Sequence, residues 1–194
     1  MMVVVGGKMK YYHDHSDEYI ESTFDCSMDR EHDFVLPFLK KGASILDVGF
    51  GSGRDMVFFG KLGFEVSGID AEEGFVRHAR SLGLDVTEAD VRFFVTDKRY
   101  DLVWCSASLL HLKRDELLPT VSRLRGFLKE DGILYLSLKY TERADGFDEK
   151  GRYFTYFHER DLESFPFRIL KLQYTDDPTR DYFRWIEMIL PKKD

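Results

Sequence analysis

The chain has 194 residues, of which 43% are apolar and 32% charged, with a formal net charge of −7. That is one domain's length of ordinary globular composition, enough to bury a core without disulfide or metal staples. The longest apolar run is five residues, Met1 to Val5, far short of the roughly 18 that cross a membrane. No basic segment followed by an apolar one marks a secretory signal. The two cysteines, Cys26 and Cys105, are too few for a disulfide framework or a cysteine zinc site. These features lead us to expect a reduced, cytoplasmic setting. The acidic balance speaks against sequence-independent nucleic-acid binding, which rests on phosphate neutralisation by Lys and Arg.

In chain order, Tyr19, Ile20 and Phe24 are spaced along one side of a short helix. Phe34, Val35, Phe38 and Leu39 predict a second, bent by Pro37 and stopped at Lys40-Lys41-Gly42. From residue 43 strands and helices alternate. Strands are predicted at Ser44–Val48, Phe64–Ile69, Leu84–Thr87 and Asp101–Cys105. Helices are predicted at Arg54–Leu62 and Ala71–Leu82, closed by Gly63 and Gly83. Pro119 suits the first turn of a helix reaching Leu128, Asp131-Gly132 a turn, and Ile133–Lys139 a strand. After a charged, Gly-containing loop come a short helix near His158–Ser164 and two strands, Phe167–Thr175 and Asp181–Leu190. Those two are joined by Asp176-Asp177-Pro178 and must pair antiparallel. The reading is a single domain, 1–194. It comprises a helical cap (1–42), a core (43–140), and a loop, helix and terminal hairpin (141–194). Alternation of this kind demands a mainly parallel sheet covered on both faces. Ligands in such sheets bind beyond the carboxyl ends of the strands.

The loop after the first strand reads Asp47-Val48-Gly49-Phe50-Gly51-Ser52-Gly53-Arg54. Three glycines at alternate positions permit positive φ and a close approach of another molecule to the backbone. The following helix start offers free N–H groups to an anion. Asp70 ends the second strand, where a carboxylate can accept two ribose hydroxyls or cap the next helix. Asp90-Val91 follow the third strand, in the loop that passes the adenine end of a nucleotide in this architecture.

Together these residues resemble the class I S-adenosylmethionine-dependent methyltransferases, whose Asp-x-Gly-x-Gly-x-Gly pattern is matched by Asp47, Gly49, Gly51 and Gly53. Phe50 departs from it where cysteine is common. The likeness covers residues 40–140 well and the ends loosely. It is nearest to small methyltransferase-domain proteins of the type 11/25 and tellurite-resistance-like kind. It implies an α/β, three-layer, Rossmann-like doubly wound sheet of seven strands, order 3-2-1-4-5-7-6, with strand seven antiparallel. It also implies S-adenosyl-L-methionine as cofactor, S-adenosyl-L-homocysteine as product, and in-line methyl transfer to a small-molecule acceptor. The cofactor-binding set carried over is Tyr19, on an N-terminal lid, Asp47, Gly49, Gly51, Gly53, Arg54, Asp70, Asp90, Val91 and Ser106.

A nicotinamide-dependent oxidoreductase on a similar sheet is the rival reading, and an inactive cofactor-binding module another. The dinucleotide fingerprint is Gly-x-Gly-x-x-Gly, whereas the spacing here is Gly-x-Gly-x-Gly. Tyr135 and Lys139 match a Tyr-x-x-x-Lys pair, but that pair needs a helix to meet at i and i+4, and this segment reads as a strand.

Acceptor-side candidates follow the fourth and fifth strands. His111, titrating near neutrality, is a candidate general base or a backbone-bonded histidine. Tyr140 and the aromatic run at Arg152, Tyr153 and Tyr156 would suit a small planar or anionic acceptor, or simply pack the last helix. The loop after strand four lacks the Pro-Pro-Tyr type motif of enzymes acting on planar amino groups. His13-Asp14-His15 offers two metal ligands but no third at a recognisable spacing. No metal is therefore expected.

Overall fold

The computed structural model describes residues 10–177 and 182–193. Seven strands form one sheet in the order β3-β2-β1-β4-β5-β9-β8. Their ranges are β1 Ser44–Val48, β2 Glu65–Asp70, β3 Asp85–Glu88, β4 Tyr100–Cys105, β5 Leu128–Tyr140, β8 Lys171–Asp176 and β9 Arg184–Pro191. β1–β2, β2–β3 and β4–β5 pair in parallel, while β9 runs antiparallel to both β5 and β8. A separate two-stranded ribbon, β6 Gly146–Phe147 with β7 Tyr153–Phe154, lies within the charged loop. Counted without it, the order is the expected 3-2-1-4-5-7-6, and the last strand is the antiparallel one. The chain divides into two compact units, at Asp97/Lys98.

In the first unit, helices α1 Lys10–Asp14, α2 Ser16–Thr23 and α3 Asp29–Val35 precede β1. Pro37 ends α3 in a 3-10 turn, Leu36–Phe38, as a residue lacking its N–H must. α4 Arg54–Lys61 follows β1, and α5 Glu73–Ser81 follows β2. Met56 on α4 and Phe75, Val76 and Ala79 on α5 bury against Phe50 and Ile20, the i, i+3 and i+4 stripe of amphipathic helices.

The second unit departs from expectation in three places. Helix α6 spans Arg114–Arg125, with Pro119 inside rather than in its first turn. The Glu116 carboxylate accepts the Lys113 N–H at 3.1 Å, so capping starts the helix earlier, and Pro119 falls on its exposed side. β5 begins at Leu128. Its register against β4 jumps from Tyr100↔Leu128 to Leu102↔Ile133, so the predicted turn is a long bulge in the strand. Gly132 is required there, because a Cβ would stand 2.7 Å from the Tyr100 carbonyl. β8 begins at Lys171, four residues later than predicted. Helix α7, Glu159–Glu163, and the antiparallel pairing of β8 with β9 match the reading. Pro178 and Asp181 lie outside the described residues.

Candidate functional site

In the first unit, β1 delivers Asp47 at its buried end and the chain then turns through three left-handed glycines, Gly49 (φ 72°), Gly51 (54°) and Gly53 (79°). A side chain would strain each of these conformations. The Gly49 amide donates to Ile69 O at 2.7 Å, which ties the loop to the end of β2. There the Asp70 carboxylate accepts two amides: Gly51 N–H on Oδ2 at 3.1 Å and Glu72 N–H on Oδ1 at 2.9 Å. Burial pushes the Asp70 carboxyl up to about 6, against the pull of those amides. The Ala89 amide donates to Asp70 O at 2.9 Å, so the loop carrying Asp90 and Val91 is fastened to the same strand end. The Asp90 carboxylate is clasped by its own neighbour, Arg92, through the backbone amide (2.9 Å) and the guanidinium (2.6–3.1 Å).

Asp47 is 2% exposed, and among the described residues its Oδ2 has no hydrogen-bond partner. Burial, with repulsion from Asp55 adding to it, pushes this carboxyl well above the usual range. Arg54 spends its fork on the adjacent Asp55, Nε to Oδ1 at 2.9 Å and a terminal nitrogen to Oδ2 at 3.1 Å. His32 Nε2 meets the same Oδ1 at 3.1 Å and its ring stacks on Phe58, 3.7 Å between centroids. Burial alone would raise Asp55; the His32 and Arg54 hydrogen bonds reverse that and hold it far below the usual carboxylate range. Sequence reasoning missed this His32–Asp55–Arg54 chain, since nothing local links positions 32 and 55. Tyr19 covers the loop: its Cε1 would stand 3.3 Å from a Cβ at Gly51, and its ring packs on Tyr12 and Phe75. Of the two histidines weighed as metal ligands, His13 faces Glu72 at 3.3 Å and His15 faces Glu18 at 3.1 Å.

In the second unit, β4 ends at Cys105 and the chain turns through Ser106, partly buried, and Ala107 at φ 49°. The Ala107 amide donates to Ser137 Oγ at 2.8 Å. His111 Nδ1 donates to Tyr153 O at 2.7 Å, and a carbonyl partner leaves the lone pair on Nε2. Desolvation, helped by the charges of Arg152 and Lys139, holds His111 down to about 4. Thr155 donates its amide to Leu110 O (2.8 Å) and its hydroxyl to Leu112 O (2.7 Å). The turn after β4 and the aromatic run are thus zipped together. Tyr156 is set by Arg114, whose guanidinium binds its carbonyl (2.6 Å), both oxygens of Asp145 (2.8 and 2.9 Å) and Asp161 (2.8 Å).

His111, Tyr153 and Tyr156 are therefore brought together around Phe154, with Arg152 beside them. Tyr140 is not: its hydroxyl bonds Glu159 and its ring meets Tyr174. Strand alternation instead puts its neighbour Lys139 over the Phe154 ring, at 3.7 Å. Tyr135 and Lys139 lie on a strand, about 13 Å apart at its rise per residue. The Tyr135 hydroxyl bonds Glu187. The Tyr-x-x-x-Lys match is therefore no dehydrogenase pair.

The strand order, the glycine turn after β1 and the acid ending β2 define a class I methyltransferase fold. Residues 45–132 match the family model described as "Methyltransferase domain". The chain is 31% identical over 116 residues (55% of this chain, 47% of the relative) to a Geobacillus sp. (strain WCH70) protein carrying a methyltransferase name. It spans less than half the length of the curated relatives it matches. Among solved structures it is similar to Burkholderia thailandensis 1,6-didemethyltoxoflavin-N1-methyltransferase, bound to 1,6-didemethyltoxoflavin and S-adenosylhomocysteine. There the TM-score is 0.75 at 21% identity, over 94% of this chain and 84% of that one. It is also similar to TehB of Haemophilus influenzae, with a TM-score of 0.69 at 14% identity, over 92% of this chain and 67% of that one.

Proposed function

We propose that this chain is an S-adenosyl-L-methionine-dependent methyltransferase acting on a small-molecule acceptor by in-line displacement. The observation that carries the reading is the Asp70 carboxylate fastened to the Gly51 amide, with a buried Asp47 oxygen that has no partner among the described residues. A buried polar atom left without a partner is costly. A cofactor with an amino-acid end offers the ammonium group that such a carboxylate lacks. The cofactor-bearing relative of the same fold supports the assignment.

In this reading Asp70 receives the ribose hydroxyls, Asp47 faces the ammonium, and the amides of the Gly49–Gly53 turn hold the amino-acid carboxylate. Tyr19 keeps water from the glycine turn, and Asp90 and Val91 border the base. Arg54, locked on Asp55, contributes a fixed cation at the start of α4. Ser106 is assigned to the cofactor side as well. When bound, the cofactor supplies a methyl group on a sulfonium, an electrophile already strong enough that the protein's work is alignment and exclusion of water. His111 enters neutral, its Nδ1–H committed to Tyr153 O. Its Nε2 lone pair orients the acceptor's nucleophilic atom and takes its proton where one must leave. Arg152, Tyr153 and Tyr156 flank the acceptor, and Tyr140 is a more peripheral member of that set.

Calorimetric titration with S-adenosylhomocysteine tests the cofactor half. The wild type should bind, and Asp70→Ala should weaken binding by more than about tenfold, the loss of one charge-assisted hydrogen-bonding group. A folded wild type that does not bind ends the proposal.

A further inference from the structure

His32 reaches from α3 onto α4 and holds an acid there. Its Nε2 stands 3.1 Å from Asp55 Oδ1, its ring stacks on Phe58 at 3.7 Å and 9°, and it meets Phe59 edge-on at 5.1 Å. Asp55, Phe58 and Phe59 are spaced i, i+3 and i+4, so they share one face of α4. Burial raises the Asp55 carboxyl, but the His32 and Arg54 hydrogen bonds overturn that and keep it ionised. An ionised carboxylate only accepts, so His32 Nε2 is the donor. Asp55 in turn takes the Arg54 fork, Nε on Oδ1 at 2.9 Å and a terminal nitrogen on Oδ2 at 3.1 Å. Arg54 is the first residue of α4, directly after Gly53. A loose arginine side chain samples many rotamers, and holding it in one costs entropy. Asp55 removes that freedom in advance, and His32, from another element, removes the freedom of Asp55.

We propose that His32 is a positioning residue for the cofactor's amino-acid carboxylate: through Asp55 it holds the Arg54 guanidinium at the end of the glycine turn, where a preset cation favours that carboxylate. The inference rests on the transferase reading above and extends its anion-binding end to a residue of α3. A further observation supports it. Arg54 is raised above the usual arginine range although burial opposes this, and after Asp55 the groups that raise it are Tyr19 and Asp47. Its charge is therefore felt at two side chains already assigned to the glycine turn and the ammonium. Losing the imidazole N–H removes a donor from Asp55 Oδ1, so the carboxyl rises and its grip on the fork loosens. Ribose and base are assigned to other residues, Asp70, Asp90 and Val91, so a defect in this chain of contacts stays at the amino-acid end.

Calorimetry on the full chain tests this with two ligands: S-adenosylhomocysteine, and 5′-methylthioadenosine, which keeps base and ribose but lacks the amino-acid end. His32→Phe keeps a ring on Phe58 and removes the N–H. It should weaken S-adenosylhomocysteine about fivefold or more and leave 5′-methylthioadenosine within about twofold. His32→Gln, whose amide can donate to the same oxygen, should weaken S-adenosylhomocysteine less than His32→Phe does. In an Arg54→Met background, His32→Phe should cause no further loss, because its effect runs through the missing guanidinium. In the wild type, the His32 imidazole nitrogen resonances, followed by NMR, should move with S-adenosylhomocysteine and hold still with 5′-methylthioadenosine. That readout needs no variant to fold. Equal weakening of both ligands by His32→Phe, no weakening of either, a His32→Gln as damaging as His32→Phe, a loss that persists without Arg54, or imidazole resonances that answer both ligands alike overturns the proposal and leaves the cofactor reading standing. A folded wild type that binds neither ligand overturns the cofactor reading itself, and this inference with it.

Discussion

The Gly51 amide donates to Asp70 Oδ2 at 3.1 Å, and together with the Gly49 amide on Ile69 O it holds the glycine turn and the end of β2 in one geometry. The same carboxyl is raised to about 6 by burial. In the proposed assignment ribose hydroxyls donate to Asp70, and best to its ionised form, so binding the cofactor would pull that value down again. A ligand that favours ionisation releases a proton on binding and binds less tightly once the pH falls below the free group's value. S-adenosylhomocysteine affinity is therefore expected to fall as pH drops from about 7 to 5, with log Kd rising by up to about one unit per pH unit for each group titrated. Asp47, also raised, steepens the slope. Calorimetry across that range in wild type and Asp70→Ala checks it. A flat wild-type profile would remove Asp70 from the cofactor contacts.

His111 makes a second statement about pH, this one about stability. Its folded value, about 4, lies below the ordinary 6.5. Between those values the unfolded chain binds a proton that the folded chain refuses, so stability is complete above about 6.5 and is lost as the pH falls towards 4. The loss is up to about 3 kcal/mol from this group alone. Urea unfolding at pH 7 and pH 4.5 should show it, and His111→Gln should reduce the difference between the two. An equal pH dependence in the variant would mean that other groups carry it.

How legible all this was depended on how local the determinants are. The Asp47–Gly53 turn and Asp70 could be read because positive φ demands glycine and because an acid at a strand end stands at a ligand-facing edge. The alternation of elements predicts a mainly parallel sheet, and the order of its strands is what the resemblance implies. The start of α6 was misplaced because a capping carboxylate, Glu116, outweighed the usual preference of proline for a first turn. The β6–β7 ribbon went unseen since two-residue strands leave no periodic signal. Lys139 was passed over for Tyr140 because the two are adjacent. Only the pleat, and the packing of Phe154 and Phe183 on one side of it, decides which faces the cluster. The His32–Asp55–Arg54 chain joins residues 23 positions apart, beyond the reach of any spacing rule.

Arg114 should act on the acceptor side without touching chemistry. It binds Asp145, Asp161 and the Tyr156 carbonyl, while Asp145 also accepts the Tyr156 amide at 2.9 Å. Arg114→Met keeps the aliphatic stem and removes every one of its anchors. Hydrogen exchange of the amides of residues 145–157 should speed up at least tenfold. The amides of β1, β2 and the glycine turn should keep their protection, and S-adenosylhomocysteine affinity should stay within about twofold. Uniform loss of protection throughout the chain would show a global stabilising role instead.

Phe50 and Gly68 form a matched pair whose coupling can be measured. Phe50 replaces the cysteine common at its position in the glycine motif, and its ring is buried in the first unit. A Cβ on Gly68, in the adjacent β2, would stand 2.8 Å from Phe50 Cδ1 and 2.6 Å from Met56 Sδ. The glycine therefore leaves the room that the larger ring takes up. Gly68→Ala should destabilise by about 1–3 kcal/mol through overpacking, softened where the flexible Met56 yields. Phe50→Ala should cost about 3–5 kcal/mol as a cavity. In the double variant the new methyl occupies part of that cavity, so the two losses should sum to more than the double loses, by at least about 0.5 kcal/mol. Urea denaturation of the four proteins measures the cycle. Additivity within about 0.3 kcal/mol would show that Met56 alone absorbs the methyl and that Phe50 does not require a glycine at position 68.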